Sequence, residues 1–270
     1  MRPKKELGQN FLQNQEVVES LINTSEPKSG DIYLEIGPGK GAITSVLASR
    51  VSRIIAVELD VTLAERLKKS FAQSNNLRII QADILHYLDL RHHDSKSNKV
   101  IGSIPYQITS PLLHALARLS IDRKTDSITL LIQKEVAQKI CAQPPKASYL
   151  STFVQTYFDV SYIKTVPKED FFPVPKVDGA IVKLVPKLQP GGLEQKSGVV
   201  EVEKWSAFLH QGFKHPRKML NKSFDEKILK EVGVNPGQRS QELSLDTWLK
   251  LYKTCVSKLQ RLENYAEKDE

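Results

Sequence analysis

Residues 31–41 read DIYLEIGPGKG, a short apolar run followed by a turn that contains Gly37, Gly39 and Gly41. The apolar run predicts a buried strand, and residues 42–50 have the spacing of a helix. Glycine permits a tight turn and lets a ligand approach the backbone where a side chain would collide. Free N–H groups at the start of the helix would favour a negative ligand group. The spacing is G-x-G-x-G rather than the dinucleotide pattern G-x-G-x-x-G, and a plain tight turn is the alternative interpretation.

Four more short apolar runs follow in the first half of the chain. They are rich in Ile, Val and Leu, as is typical of strands buried on both faces of a parallel sheet. Amphipathic segments between them predict helices over Thr62–Gln73 and Ser110–Leu119. This alternation predicts a doubly wound α/β fold. The four predicted strands cover Arg53–Glu58, Leu77–Gln81, Lys99–Ser103 and Ser127–Ile132.

The pattern changes in the second half of the chain. Tyr157–Val166 and Gly179–Val185 read as strands with fewer helical residues between them, so we expect an antiparallel last strand. Pro, adjacent glycines and charge then predict a linker, and helical spacing beyond it predicts a small all-α C-terminal domain. The predicted boundaries are 1–186 for the α/β domain, 187–200 for the linker, 201–260 for the helical domain and 261–270 for a charged tail.

The composition limits the function classes. Lys and Arg number 39 against 31 Asp and Glu, which gives a net charge of +8. That balance favours a polyanion such as RNA, although many basic proteins bind no nucleic acid. The two cysteines, Cys141 and Cys255, form no CxxC pair, so a cytosolic setting is expected rather than a disulfide framework or a zinc cluster. No run approaches the roughly 20 apolar residues of a membrane span, and no secretory signal is expected.

Acidic residues follow two of the predicted strands. Glu58 ends the second strand, and its carboxylate can accept from both hydroxyls of a ribose. Asp83 follows the third strand and can accept from an adenine amino group. Open α/β sheets bind ligands at the carboxyl ends of their strands, so these features predict a site for an adenosine-bearing cofactor. A solvated strand end is the alternative for Glu58 alone.

Nine motifs, taken in order, resemble those of the ribosomal RNA adenine dimethyltransferases, the KsgA-like family. The resemblance covers residues 7 to about 251 and implies a Rossmann-like methyltransferase sheet that uses S-adenosylmethionine. It implies dimethylation of adenosine N6 in small-subunit (16S-type) ribosomal RNA during ribosome biogenesis in the cytoplasm. The motifs are LGQNFL (7–12), EIGPGKG (35–41), VELD (57–60), QADI (81–84), IPY (104–106), QKEVA (133–137), FFPVPKVD (171–178), FKHPRK (213–218) and RSQEL (239–243).

The resemblance assigns cofactor-binding roles where the motifs match. Leu12 and Ile84 could instead be core residues, and Asn10 a helix cap. The assigned residues are Gln9, Asn10 and Leu12 over the cofactor, Gly37, Gly39 and Gly41 at its methionine part, Glu58 and Leu59 at the ribose, Asp83 and Ile84 at the adenine ring, and Ser103 beside them.

The same resemblance places the chemistry on the segment 103–106. An exocyclic adenine amine is a poor nucleophile, because its lone pair is delocalised into the ring. Acceptors at Ser103 and the Ile104 carbonyl, in a turn fixed by Pro105, would redirect that lone pair toward the methyl group. The base must leave its stack, and Tyr106 and Phe171 would hold it between their rings. Core packing is the alternative for Phe171.

Ser103 departs from the family motif N-[LI]-P-[YF], in which asparagine supplies a carbonyl acceptor. A serine hydroxyl also accepts, but it is shorter and can rotate, so retained but slower chemistry is expected. The alternative is a chain kept for RNA binding and ribosome assembly. A large-subunit RNA methyltransferase is a further alternative, which the long helical domain and the RSQEL motif disfavour. A nicotinamide dehydrogenase is disfavoured by the glycine spacing.

Basic residues of the helical domain are expected to contact RNA phosphates, with a solvated helix face as the alternative. Arg2, Lys4 and Lys5 add charge near the start. The expected partner is small-subunit ribosomal RNA or a pre-ribosomal particle, and a monomer is expected. His86, His92 and His93 lack metal-ligand spacing, so no metal is expected. The predicted RNA contacts are Lys214, Arg217, Lys218 and Lys222.

Overall fold

The computed structural model describes residues 3–4, 7–89, 97–122, 125–187 and 198–266. Strands alternate with helices in the first half of the chain, as the apolar pattern predicts. The strands are β1 (Phe11–Leu12), β2 (Ile32–Ile36), β3 (Arg53–Glu58), β4 (Leu77–Gln81), β5 (Lys99–Ser103), β6 (Ser127–Gln133), β7 (Phe158–Val166), β8 (Phe171–Phe172) and β9 (Gly179–Pro186). The helices are α1 (Gln15–Thr24), α2 (Ala42–Leu47), α3 (Val61–Ser70), α4 (Ile84–Asp89), α5 (Thr109–Asp122), α6 (Lys134–Cys141), α7 (Tyr149–Tyr157), α8 (Gly198–Phe213), α9 (Glu226–Glu231) and α10 (Leu245–Ala266).

Seven strands form one sheet in the order β4-β3-β2-β5-β6-β9-β7. The neighbours from β4 to β6 run parallel, and β9 is antiparallel to both β6 and β7. This confirms the doubly wound α/β fold with an antiparallel last strand. The connections change direction between β2 and β5, and open α/β sheets bind ligands outside the carboxyl ends of strands at such a point.

The chain divides into two units whose boundaries differ from the predicted ones. The first comprises Met1–Gln138 and Phe158–Lys187, and the second comprises Lys139–Tyr157 and Leu188–Glu270. Residues 139–157 therefore group with the helical unit. Polar contacts inside that unit fit this grouping, because α7 is hydrogen-bonded to α8. Trp205 Nε1 donates to Thr156 Oγ1 at 3.0 Å, and the Tyr149 and Ser206 hydroxyls lie 2.8 Å apart.

Other elements also differ from the prediction. Tyr157, expected at the start of a strand, ends α7, and a separate two-stranded pair joins β1 to β8 near the N terminus. Helix α10 continues to Ala266, so part of the predicted tail is helical. In the predicted linker, residues 198–200 belong to α8, while 188–197 lie outside the described residues. Arg2 and Lys5, which were expected to add basic charge, and His92 and His93, for which no metal role was expected, also lie outside them.

The helical unit is built on aromatic packing. Trp205 and Trp248 are fully buried, and the Trp205 ring centroid lies 5.2 Å from that of Tyr252. Helix α8 passes close to α10 at Gly212, where a Cβ atom would lie 2.3 Å from the Trp248 ring. Within the described part of the chain, no helix combines the length and apolar character that a membrane crossing requires.

Close contact between β2 and β5 depends on Gly102, which pairs with Ile36. A Cβ at this position would lie 2.6 Å from the Ile36 carbonyl oxygen, and a backbone atom inside a sheet has little room to move. Gly30 offers a contrast, because a Cβ there would meet nothing within 4 Å.

We expect Gly102→Ala to lower the free energy of unfolding by about 1–3 kcal/mol, because the added methyl group overpacks the sheet. Gly30→Ala is the matched control and should leave stability within about 0.5 kcal/mol of wild type. Urea denaturation of the three proteins measures both differences. Equal stability of the two variants would contradict the close approach of β2 and β5.

Candidate active site

A cavity opens at the carboxyl ends of β2, β3 and β5. The residues that the sequence analysis assigned to the cofactor and those that it assigned to the target base line this one cavity. Gly41 is the exception among these assigned residues, because it does not line the cavity. The assigned residues that line it are Gln9, Asn10, Leu12, Gly37, Gly39, Glu58, Leu59, Asp83, Ile84, Ser103, Ile104, Pro105, Tyr106 and Phe171.

The glycine turn after β2 is closed by its own hydrogen bonds. Gly37, Gly39 and Gly41 have φ values of 63°, 60° and 87°, which other residues rarely adopt. Their N–H groups donate to Val57 O (2.9 Å), Glu58 Oε2 (3.0 Å) and Pro38 O (2.8 Å), respectively. The N–H groups of these three glycines therefore hold the turn in shape. The expected free N–H groups at the start of α2, which begins at Ala42, remain a prediction.

Gly41 has a packing role in the structure. It is the residue before α2, and a Cβ there would lie 3.0 Å from Leu67 Cδ2 of α3 and 3.2 Å from the Phe71 ring. The third glycine of the motif therefore lets α2 begin close to α3, away from the cavity wall.

Glu58 is placed at the end of β3 with only 6% of its surface exposed. Its Oε1 accepts from Asp60 N at 2.9 Å, and its Oε2 accepts from Gly39 N at 3.0 Å. Burial raises the pKa of Glu58, although these backbone donors oppose the shift. Each carboxylate oxygen has a second lone pair, so both can still accept from a ligand hydroxyl.

Asp83 and two apolar residues, Leu59 and Ile84, lie just after the ends of β4 and β3. Asp83 Oδ1 accepts from Leu85 N at 2.8 Å and so caps α4, which leaves Oδ2 for an outside donor. Ile84 is buried beside it, whereas Leu59 is 48% exposed although it is a large apolar residue. An acceptor in a cavity that two aliphatic side chains also line suits the amino group and the faces of an adenine ring.

The N-terminal segment forms another wall of the cavity. Leu12 pairs with Phe171, and Phe11 with Phe172, in the β1–β8 ladder. Asn10 Nδ2 donates to Gly8 O at 3.1 Å. This pairing brings the predicted cofactor residues of the N-terminal motif next to the predicted base-stacking ring.

Ser103 and Tyr106 lie where β5 ends. Ile104 N donates to Leu131 O at 2.8 Å, which holds the turn against β6. The Ser103 hydroxyl forms no hydrogen bond with any residue that the structure describes, so it can accept from a ligand. The Tyr106 hydroxyl lies 3.4 Å from Val177 O, and burial raises its pKa. That contact ties the ring to the segment that carries Phe171.

Phe171 belongs both to the cavity wall and to the core. It is only 3% exposed, and it packs in the hydrophobic cluster around β2 and α1. The core interpretation is therefore correct for most of its surface. Phe172, the next residue, is 47% exposed, and its ring centroid lies 5.6 Å from Lys40 Nζ.

Three residues of this region received no role from the sequence, namely Glu35, Lys40 and Asp60. Lys40 Nζ lies 4.6 Å from the Phe11 ring centroid, a cation–π distance. Glu35 lies inside β2, fully buried, and Thr44 Oγ1 donates to its Oε1 and Oε2 at 3.0 and 2.8 Å. A charged residue inside the apolar run 32–36 is the signal that could have revealed it.

The predicted RNA-contacting residues lie in the second unit. Lys214, Arg217, Lys218 and Lys222 are all exposed between α8 and α9. They form one short basic segment. Among the residues that the structure describes, no three His, Cys, Asp or Glu side chains are grouped as they would be to hold a metal ion.

Comparisons with known proteins identify relatives over nearly the whole chain. The family model described as ribosomal RNA adenine dimethylase matches residues 1–256. The ribosomal RNA small subunit methyltransferase A of Sulfurihydrogenibium sp. (strain YO3AOP1) is 34% identical over 260 residues, which cover 93% of this chain and 96% of that protein.

Two solved structures resemble the chain in fold. A dimethyladenosine transferase from Plasmodium falciparum has 26% identity and a TM-score of 0.73, covering 89% of this chain and 95% of its own. The 23S rRNA methyltransferase ErmE has 25% identity and a TM-score of 0.67, with coverage of 91% and 99%.

The buried Glu35 generates a prediction about stability. Burial, with a smaller contribution from the charge of Glu58, raises the pKa of Glu35 from 4.5 to about 7. A raised pKa means that the folded state favours the neutral acid. Its stabilising effect is complete below about pH 4.5 and is lost as the pH rises through 7.

Glu35→Gln cannot ionise and keeps an oxygen that accepts from Thr44. We therefore expect the free energy of unfolding of wild type to fall by roughly 3 kcal/mol relative to the variant between about pH 4.5 and 8. Urea denaturation at a series of pH values measures this difference, and other titrating groups cancel in the comparison. Parallel pH profiles would contradict a buried, near-neutral Glu35.

Proposed function

Because the chain belongs to the ribosomal RNA adenine dimethylase family, we propose that the described cavity is where it dimethylates adenosine N6 of small-subunit ribosomal RNA. The chain is an S-adenosylmethionine-dependent adenine dimethyltransferase, and the product is dimethyladenosine, formed by two successive transfers. The observation that carries the proposal is the meeting of Glu58, Asp83, Ser103 and Tyr106 in one cavity at the β2–β5 switch point.

The cofactor half of the cavity fits S-adenosylmethionine. Glu58 is held by two backbone donors with lone pairs left for the ribose hydroxyls. Asp83 Oδ2, with Leu59 and Ile84 beside it, suits the adenine. The glycine turn leaves room for the methionine part. When bound, the cofactor supplies an electrophilic sulfonium methyl group.

The substrate half of the cavity fits a flipped adenine. In the first transfer, the Ser103 hydroxyl and the Ile104 carbonyl would accept from the two N6 hydrogens and direct the nitrogen lone pair toward the methyl group. In the second transfer one N6 hydrogen remains to be accepted, and each transfer releases one N6 proton and the demethylated cofactor. The Tyr106 ring stacks on the base. Phe171 contributes the part of its ring that faces the cavity. The rest of the catalysis is the in-line placement of two reactants.

The basic segment of the helical unit would contact phosphates of the RNA. Such contacts position the substrate, whereas shape and the flipped base specify it. We propose small-subunit RNA, free or in a pre-ribosomal particle, as the partner of a monomer in the cytoplasm. The segment comprises Lys214, Arg217, Lys218 and Lys222.

The alternatives are less well supported. A relative with 34% identity is named a small subunit methyltransferase, whereas the large-subunit enzyme ErmE has 25% identity. Ser103 is the only feature that favours an assembly factor of low activity, and its hydroxyl retains free acceptor capacity.

Transfer of a labelled methyl group to unmodified ribosomal subunits, followed by mapping of the labelled nucleotide, tests the function. We expect label in adenosines of the small subunit. Tyr106→Ala should lower kcat/KM by about ten- to a hundredfold, because a stacking face for the base is lost. Tyr106→Phe keeps the ring and is the matched control, with activity close to wild type. Label confined to the large subunit, or no label at all, would overturn the proposal.

Ser103 provides a separate prediction about rate. Ser103→Ala should lower kcat about ten- to a hundredfold, because one acceptor for the amino group is lost. Ser103→Asn should preserve or raise kcat, since its amide oxygen also accepts. Cofactor affinity measured by calorimetry serves as the control for folding. An inactive Asn variant would contradict the acceptor role given to position 103, and a fully active Ala variant would remove Ser103 from the reaction.

A further inference from the structure

We propose that Asp60 is a positioning residue that clasps the N-terminal strap, defined as residues 7–12, over the cofactor site. The inference rests on the proposed cofactor role of the cavity. Asp60 does not itself line the cavity, whereas every residue of the strap does. Its effect on the cofactor is therefore exerted through the strap and through Glu58.

Asp60 makes contacts in three directions. Its Oδ2 accepts from Gln9 Nε2 at 2.9 Å and lies 3.1 Å from Lys4 Nζ. Its Oδ1 accepts from Thr62 N at 2.9 Å and caps α3. Its own N–H donates to Glu58 Oε1 at 2.9 Å. One residue thus joins the strap, a helix start and the proposed ribose acceptor.

Both polar atoms of the Gln9 side chain make hydrogen bonds within the protein. Its Nε2 donates to Asp60, and its Oε1 accepts from Lys4 N at 2.8 Å. The resemblance assigned Gln9 to the cofactor, but its amide links the strap to Asp60. We infer that Gln9 serves the cofactor by holding the strap.

The burial of Asp60 makes the clasp specific. Its side chain is 2% exposed, and an unpaired carboxylate is costly to bury. Burial alone would raise the pKa of Asp60, but hydrogen bonds from Gln9 and Lys4 keep it below the ordinary value. The folded structure therefore holds a charged Asp60 whose Oδ2 has Gln9 of the strap and Lys4, which precedes the strap, as its partners.

The strap is anchored at both ends. At its C-terminal end, β1 pairs with β8, Gln13 N donates to Asp170 O at 2.8 Å, and Asn14 Nδ2 donates to Asp170 Oδ1 at 2.8 Å. At its N-terminal end, the clasp on Asp60 is the corresponding side-chain anchor. Asn10, Phe11 and Leu12 line the cavity between Gln9 and the C-terminal anchor, so release of the clasp frees one end of this part of the cavity wall.

Asp60→Asn and Gln9→Leu test the clasp by calorimetric titration with S-adenosylmethionine. Asparagine at position 60 can still cap α3 through its side-chain oxygen. Its amide NH₂ group then faces the Nε2 donor of Gln9, so the hydrogen bond to the strap is lost. Leucine at position 9 leaves the α3 cap untouched, so it remains informative if the other variant unfolds. We expect each variant to weaken affinity about ten- to a hundredfold. The double variant should bind no more weakly than Asp60→Asn alone.

Asp225→Asn is the matched control, because Asp225 caps α9 in the same way through Lys227 N at 2.6 Å. It should leave cofactor affinity unchanged. In the methyl-transfer assay, both clasp variants should raise KM for the cofactor and leave kcat at saturation close to wild type. A variant that is merely partly unfolded would instead show a lower apparent kcat, in proportion to the fraction of protein that is folded.

The failures of this inference and of the proposed function are distinguishable. Wild type that binds no S-adenosylmethionine overturns the proposed function. If wild type binds S-adenosylmethionine and the Gln9→Leu variant binds it with equal affinity, the clasp is overturned and the proposed function is not. The clasp is also overturned if the two single-variant losses of binding free energy add in the double variant, since additivity would show that Gln9 and Asp60 act independently.

Discussion

The site depends on one interaction, the hydrogen bonding of the Glu58 carboxylate to the N–H groups of Gly39 and Asp60. It joins the glycine turn after β2 to the end of β3 and the start of α3. The turn can form only because glycine adopts its positive φ values, and the carboxylate then fixes where the turn lies. Because Asp60 also holds Gln9, the same interaction extends to the N-terminal strap.

Local patterns predicted the parts of the fold that are built from local signals. The parallel strands are buried on both faces, so their apolar runs are continuous and visible in the sequence. The β1–β8 ladder has only two residues in each strand and joins Phe11 to Phe172, so no periodicity reveals it. The grouping of α7 with the helical unit depends on contacts such as that of Thr156 with Trp205, which no local pattern encodes.

The site residues divide in the same way. Glu58 and Ser103 end predicted strands and Asp83 follows one, and the parallel arrangement alone brings these strand ends together. Phe171 was harder to interpret, because a ring that is 3% exposed serves the core as well as the cavity. Gly41 and Gln9 match the family motifs and were assigned to the cofactor, but in the structure Gly41 lies against Leu67 and Gln9 is hydrogen-bonded to Asp60. A motif match identifies a position in the fold, whereas the contacts show which partner the residue has.

The hydrogen bonds of the glycine turn also bear on the kind of cofactor. In dinucleotide-binding proteins, a glycine-rich turn and helix start receive a pyrophosphate on backbone N–H groups. Here the N–H groups of Gly37, Gly39 and Gly41 all donate within the protein, and the middle one donates to a carboxylate. A phosphate placed there would lose those donors and meet the negative charge of Glu58. S-adenosylmethionine has no phosphate and carries a sulfonium cation, so this turn and its acidic neighbour suit it where they would oppose a dinucleotide.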